Sequence, residues 1–303
     1  MSERTERIDF QATSDPALLA SADRGEAHLL TYRQLYELWE RQQWATQDLD
    51  FTRDRIDWHE RIPEEERFQR MYGLSAFFIG EQRVAAELGP MMRAAPDEEM
   101  RLFLCTQIAD EARHMAFFDR FYSEVGVLES ESLQERLDET GAHLNPEFGV
   151  LFDEMLRSRV DRLATDPEDL ETLVEAVTIY HMVVEGMLAL TGQHFIMDYN
   201  ERMGTLPAFV QGFTLVARDE HRHVAFGARF LRDMAREHPR YVTAIQRTLT
   251  EVGPVADGVL RPPWMTGGDD EMMLFGVSVA ETRAFALKAL ERRMKVIGLL
   301  QAA

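Results

Sequence analysis

The chain has 303 residues, 45% of them hydrophobic and 28% charged, enough for a sizeable core and too mixed for a disordered or low-complexity polymer. Its 53 acidic and 33 basic residues leave a net charge of −20, which repels phosphate and argues against a nucleic-acid or anionic-membrane partner. The one cysteine, Cys105, allows no intrachain disulfide, suits a reducing cytoplasm, and reads as a small buried apolar residue. Met1 to Phe10 is charged and lacks the apolar stretch of a signal peptide, and residues 1–30 read as a loosely held arm. Thr31 to Trp44 is a short amphipathic helix. A long helix is predicted from Pro63 to Ala94, with Glu64, Glu65 and Glu66 in a first turn whose dipole favours acids. Pro96 and Asp97 open a second, which stops at Gly126. A third, Leu133 to Leu163, is broken between Gly141 and Pro146. The fourth runs from Pro167 through Glu185 to Tyr199, and the fifth from Pro207 to Glu237, where Pro239 ends it. Tyr241 to Val252 and Glu281 to Leu300 are further helices, separated by an irregular Gly253–Asp270 with its Arg261-Pro262-Pro263-Trp264 and Gly267-Gly268. Strand signal is scarce. The most apolar stretch, Met182 to Leu190, is interrupted by Glu185 and too short to cross a bilayer.

An internal repeat organises this pattern. Asp110-Glu111-Ala112-Arg113-His114-Met115-Ala116-Phe117 matches Asp219-Glu220-His221-Arg222-His223-Val224-Ala225-Phe226 at six of eight positions. Each copy follows a helix carrying a glutamate among apolar residues: Glu81 after Phe77-Phe78-Ile79-Gly80, and Glu185 within Met182-Val183-Val184-Glu185-Gly186-Met187-Leu188. Residues i and i+3 share a helix face, so Glu111 with His114, and Glu220 with His223, can each reach one ion. A lone Glu-x-x-His on a polar face means little. Two of them, each paired with a glutamate that is costly to bury alone, form the ligand inventory of di-iron and di-manganese bundles. Two cations neutralise four carboxylates, and oxygen-rich ligation with one imidazole per ion suits iron or manganese over structural zinc. Asp110 and Asp219 are candidates to hold the ring N–H groups, or else are solvated helix positions. His28, His59, His143 and His238 lie near loops or helix ends and read as surface residues. His181, His194 and His221 do not fit the repeat, and His221 points about 100° away from Glu220. Phe77, Met115, Phe117, Met187 and Phe226 read as core, a few of them lining a substrate cavity. The fold expected is all-α, a ferritin-like four-helix bundle with additional helices. It forms one domain over 1–303, with metal-binding helices in 63–237 and accessory helices in 238–303.

The stretch Trp44 to Trp58 resembles the segment before the first metal helix of ribonucleotide reductase small subunits, and the resemblance continues to Glu237, about two-thirds of the chain. Within that superfamily the chain is similar to the ligand-binding oxidases related to the reductase small subunit. Their marks are a valine three residues after the first glutamate and a tyrosine five before the third carboxylate ligand, here Val84 and Tyr180, and Val184 to Gly192 also looks like them. The resemblance implies one manganese and one iron (alternatively two irons), a long-chain fatty acid at the metals, and an ether bond joining Val84 to Tyr180. From residues alone Val84 is a core valine. Tyr180, offset by about 140° from Glu185 in an α-helix, is a core tyrosine unless it leans across to the neighbouring helix. The resemblance further implies a Trp44–Asp219–His114 link able to pass an electron to the metals.

Two other readings stay open. A reductase small subunit with a manganese/iron pair fits Phe118, which stands four residues after His114 where such proteins usually carry a radical tyrosine; the tail with a tyrosine that docks the large subunit is not seen, since the last tyrosine is Tyr241. A ferritin-like bundle that binds or oxidises iron without an organic substrate is the other, though cage ferritins are shorter and lack the valine–tyrosine pair. N-oxygenating relatives add a histidine on the last metal helix, where Leu215 and Val216 stand here. The oxidase reading expects a cytoplasmic homodimer that uses dioxygen and an unspecified electron donor.

Overall fold

The computed structural model describes residues 29–265 and 270–300, and the expected N-terminal arm lies almost wholly outside them. Helix α1, Tyr32–Arg41, is closed at its start by a capping box between Thr31 and Gln34. A short α2, Thr52–Ile56, passes into a wider turn over Asp57–Arg61. The two long helices α3, Glu64–Ala94, and α4, Glu98–Val125, pack along each other. Asp97 caps α4, and Gly126 at φ 73° ends it as a left-handed glycine does. The third predicted helix is interrupted as expected. Leu133–Gly141 forms α5, and a second run, α6, covers 146–165 with Asn145 as its cap.

Helix α7 spans Leu170–Met203, three residues later than its predicted start because Asp169 supplies the cap. By length and composition it is apolar enough to cross a membrane, contrary to the expectation from Met182–Leu190, but 94% of its most apolar window is buried inside the protein. It is a core helix. Helix α8, Pro207–Glu237, keeps its predicted bounds. Its start has no local cap. Instead Asp54 of α2 accepts hydrogen bonds from the Ala208 and Phe209 amides at 3.0 and 2.6 Å, and Asp57 accepts from the Leu206 amide at 3.1 Å. Those are the amide groups a helix start leaves orphaned. Burial pushes the Asp54 carboxyl up to about 6, although the two amide bonds oppose the rise.

Helix α9, Pro239–Val259, runs seven residues past its expected end and through Pro254. Its buried face, Ala244, Ile245, Thr248, Val252, Ala256 and Val259, keeps helical spacing across the proline, so packing outweighs the lost hydrogen bond. A two-stranded antiparallel hairpin, β1 Met273–Leu274 and β2 Val277–Ser278, turns on Phe275 and Gly276, both at positive φ; it was not expected. Helix α10, Val279–Ile297, opens on a Ser278–Glu281 capping box and packs on α7 and α8. Helices α3, α4, α7 and α8 surround the bundle's centre. One buried cluster is rich in phenylalanine, with Phe117, Phe118, Phe121, Phe209 and Phe213. The other is largely aliphatic and holds Val84, Tyr180 and Val184. Cys105 is exposed, which corrects its reading as a core residue: α4 turns that position to solvent between buried Leu104 and Thr106.

Candidate metal centre

All six residues of the predicted ligand set converge. Ligand atoms of Glu81, Glu111, His114 and Glu220 lie within 4.8 Å of one another, and so do those of Glu111, Glu185, Glu220 and His223. Glu111 and Glu220 are common to both groups. The Nδ1 of His114 stands 3.3 to 3.4 Å from Glu81, Glu111 and Glu220, and the Nδ1 of His223 stands 3.2 to 3.6 Å from Glu185, Glu111 and Glu220. Each ring therefore turns one nitrogen into the carboxylate cluster. Both histidines and Glu111 are fully buried. The Oε2 atoms of Glu111, Glu185 and Glu220 are buried without a hydrogen-bond partner. Orphaned oxygens on three of four clustered carboxylates beside two imidazoles are what a pair of hard or borderline cations would satisfy, so the residues fit two metal ions.

The other nitrogen of each ring is held from outside the cluster, and the repeats cross. His114 Nε2 meets Asp219 at 3.3 Å and His223 Nε2 meets Asp110 at 3.2 Å, so each aspartate serves the histidine of the other repeat. Trp44 Nε1 donates to Asp219 at 2.8 Å, completing the expected Trp44–Asp219–His114 line. Sequence reasoning missed its counterpart: Trp39 Nε1 donates to Asp110 at 2.9 Å, giving Trp39–Asp110–His223. The internal repeat was the available signal, because a partner for one aspartate implies one for the other. The repeated arginines brace this layer. Arg222 donates to Asp110 and Asp219 at 2.9 and 2.7 Å, and Arg113 donates to both aspartates, at 2.9 Å to Asp219. Burial opposes a charge on Asp219, but the His114 bond and the two guanidinium groups outweigh it and hold the carboxyl well below its usual range.

Tyr180 reaches the centre, and the reason is the winding of α7. From Thr178 to Ala189 the helix is π-wound, with more residues per turn than an α-helix. Residues five apart then lie closer to one face, which brings Tyr180 round toward Glu185's side without the lean that α-helical spacing requires. Its hydroxyl donates to Glu111 at 2.6 Å and accepts from Gln107 at 3.2 Å. Gln107, also missed, donates to Glu185 at 3.0 Å while its carbonyl meets His181 Nε2 at 3.1 Å. His181 is thus a buried structural histidine, with its pKa lowered to about 3, chiefly by burial.

Beside the cluster lies a cavity of ≈150 Å³. Its walls are apolar side chains and small residues of α3 and α7, among them Gly73, Ala76, Gly80, Ala189 and Gly192, and Leu274 and Phe275 of the hairpin line it too. Glu81, Glu111, Glu185, Glu220, Val84 and Tyr180 all border it. Among the described residues no lysine or arginine does.

Electrostatics of the metal-free cluster make uptake of metal a proton exchange. Burial disfavours a charged ring at His114 and His223, yet Glu81 and Glu111 respectively, with the aspartate bonds, raise both pKa values well above the ordinary histidine value. Burial likewise raises Glu81 and Glu185. The cluster without metal therefore holds protons shared between its imidazoles and carboxylates, and must lose them to bind an ion. Metal affinity rises as pH rises through the elevated histidine pKa values. Calorimetric titration with Mn(II) at neutral pH gives an apparent heat that depends on the buffer's ionisation enthalpy; a buffer-independent heat contradicts this.

Fold and site together define a helical bundle with a buried carboxylate–histidine cluster able to hold two metal ions. The chain belongs to the ribonucleotide reductase small chain family, whose model matches residues 30–252. Among solved structures it is similar to R2-like ligand-binding oxidases. A valine-to-isoleucine variant with an anaerobically reconstituted Mn/Fe cofactor is 27% identical, with a TM-score of 0.77 over 89% of this chain and 94% of that one. A glutamate-to-aspartate variant with an aerobically reconstituted Mn/Fe cofactor is 26% identical, with a TM-score of 0.77 over 88% and 93%. A glycine-to-leucine variant, again with Mn/Fe, is 27% identical, with a TM-score of 0.78 over 89% and 94%. These likenesses put the chain among oxidoreductases with dinuclear metal sites.

Proposed function

We propose that the protein is a dioxygen-activating oxidase that oxidises a bound hydrophobic molecule of fatty-acid type by two electrons at a C–H bond. The observation that carries this is the apolar cavity that ends on the carboxylate cluster. A pure iron-storing or redox bundle needs no such space, and a cavity of this lining fits an alkyl chain. Glu81, Glu111, His114 and Glu220 hold one ion, and Glu111, Glu185, Glu220 and His223 the other; the relatives support manganese with iron as the pair, with two irons as the alternative. Once bound, the pair supplies Lewis acidity and electrons for reducing dioxygen.

The chain's own residues do the rest. Asp219 and Asp110 keep the Nε2–H of His114 and His223 oriented, so each Nδ1 stays free for an ion. The apolar walls exclude water and lay an alkyl chain against the cluster. With no lysine or arginine lining the cavity among the described residues, a ligand carboxylate is recognised by the metals themselves. Trp44, partly exposed and joined to His114 through Asp219, is the entry for an electron from a donor protein. Val84 and Tyr180, both on the cavity wall, are the partners of an internal ether bond. Phe118 sits fully buried among phenylalanines, so no phenol stands there to store a radical, and a reductase subunit built this way would have to store its oxidising equivalent in the metal pair. The protein works as a cytoplasmic homodimer. Organic extraction of the purified protein is expected to release a long-chain fatty acid or similar amphiphile bound at close to one per chain. Protein that yields no amphiphile, and takes up none when offered one in the metal-loaded state, refutes the ligand-binding reading. Reductase activity on mixing with a large subunit favours the reductase reading.

A further inference from the structure

The apolar cavity has a direction. Its wall on α3 runs from Glu81 back to Gly73 and Tyr72, and its wall on α7 runs from Glu185 forward to Ile196. Gly73 stands eight residues before Glu81, and Ile196 eleven after Glu185. At the rise of a helix these walls end roughly 12 to 16 Å from the carboxylate cluster. Phe275 of the hairpin sits at that far end. A Cβ placed on Gly73 would stand 3.1 Å from Phe275 Cε2 and 3.4 Å from Ile196 Cδ1, so the ring, Gly73 and Ile196 come together there. The ring also packs edge-on against Tyr199, three residues beyond Ile196, with centroids 6.1 Å apart. Phe275 lines the cavity and is itself partly exposed, so it stands between the cavity's far end and solvent.

The hairpin has no use of its own for a phenylalanine at this position. Its two-residue turn holds Phe275 at φ 51° and Gly276 at φ 72°. A turn with both central residues at positive φ favours Asn-Gly, and a bulky aromatic in the left-handed region is strained. Gly276 meets the demand of the turn and Phe275 does not. Strain of this kind persists where the surroundings hold it, and it gathers at functional positions. Gly73 is the complement. A glycine inside a helix costs stability relative to alanine, and here the missing side chain leaves room for the ring.

We infer that Phe275, seated against Gly73, is a specificity-determining residue that sets the longest alkyl chain the cavity accepts. The inference rests on the fatty-acid reading given above. A ligand whose carboxylate is held at the metals has one end fixed, and the Phe275 ring is the stop that its other end meets. Each methylene buried short of that stop strengthens binding about fourfold. A methylene beyond it must displace the ring or buckle the chain, as in an overpacked core.

The test measures dissociation constants of straight-chain saturated fatty acids, in a series from decanoate to docosanoate. It uses the full chain, stripped of bound lipid and loaded with manganese and iron. Wild-type affinity should rise about fourfold per methylene up to a limiting length, then fall about tenfold at the next even-chain acid. Phe275→Asn suits the turn and removes the ring, so it should recover that tenfold and move the limit to longer acids. Gly73→Leu fills the same end from α3 and should move the limit to shorter acids. A wild type with no upper limit through docosanoate, or a Phe275→Asn protein with the wild-type limit, overturns the proposal. Should Phe275→Asn not fold, Gly73→Leu carries the test, and an unchanged limit there overturns it equally. A metal-loaded wild type that binds none of the acids sinks the fatty-acid reading itself, an outcome distinct from binding without a Phe275-dependent limit.

Discussion

Alanine at Glu111 lowers the metal retained from about two ions per chain to one or none, after anaerobic loading with equal manganese(II) and iron(II) and exposure to air. Glu111 and Glu220 each belong to both ligand groups, so losing either weakens both positions. His223 and Glu185 belong to one group, and His114 and Glu81 to the other. His223→Ala therefore keeps one ion and loses its neighbour, and Glu111→Ala is the more severe of the two. Buried carboxylates left facing each other without a cation take up protons instead, a tendency already visible in the raised pKa values of Glu81 and Glu185. Asp219→Asn and Asp110→Asn touch only the far side of each ring, where the loss expected is roughly 10–100-fold in affinity and not in stoichiometry at saturating metal. Metal analysis by plasma mass spectrometry decides the matter, with helicity checked by circular dichroism. Wild-type metal content in both Glu111→Ala and His223→Ala would mean that the ligand assignment is wrong.

The carboxylate–histidine cluster was legible because it is written locally and twice. Glu-x-x-His needs only helical geometry, and a glutamate inside Val183-Val184-Glu185-Gly186-Met187 announces its own cost. Helix α8 was legible to the residue because Pro207 and Pro239 punctuate it. What escaped depends on contacts between distant segments. Trp39 lies on a short helix whose face toward α4 is set by packing, so its bond to Asp110 across 71 positions has no local signature. The π-winding of Thr178–Ala189 changes which residues share a face, and no periodicity argument based on an α-helix can place Tyr180 correctly there. Gln107 looks like any glutamine on an amphipathic helix until Tyr180, His181 and Glu185 surround it. Helix α9 crosses Pro254 because its buried face continues beyond it, a case of tertiary packing overriding a local breaker. The Asp54 cap on α8 is of the same kind: an acid on α2 supplies what a local Ser or Asp usually does.

Aerobic activation of the manganese/iron-loaded protein yields a chain two hydrogen atoms lighter than the metal-free one, and its digest contains a branched peptide joining the Val84 and Tyr180 segments. Both residues border the cavity that meets the cluster, and both are buried, so water does not compete for the reacting positions. The Tyr180 hydroxyl already lies in contact with the cluster, donating to Glu111 at 2.6 Å. Burial and the surrounding glutamates hold its pKa well above the ordinary tyrosine value, so the phenol keeps its proton until oxidation removes it. Forming the ether breaks the Val84 Cβ–H bond and the Tyr180 O–H bond and makes one C–O bond. The two electrons and two protons released go to the reduction of dioxygen. Tyr180→Phe removes the oxygen and abolishes the branched peptide. Metal stoichiometry stays near wild type, since Tyr180 is outside both ligand groups. Val84→Ala keeps a side chain but replaces a tertiary C–H by a stronger primary one, so the yield of cross-link falls steeply. Anaerobic loading gives no mass loss, because the oxidant is missing. Separate, unmodified Val84 and Tyr180 peptides after aerobic activation, with either two irons or manganese and iron, would remove the chain from the cross-linking branch. The metal cluster and its cavity would still stand, because neither depends on the ether bond.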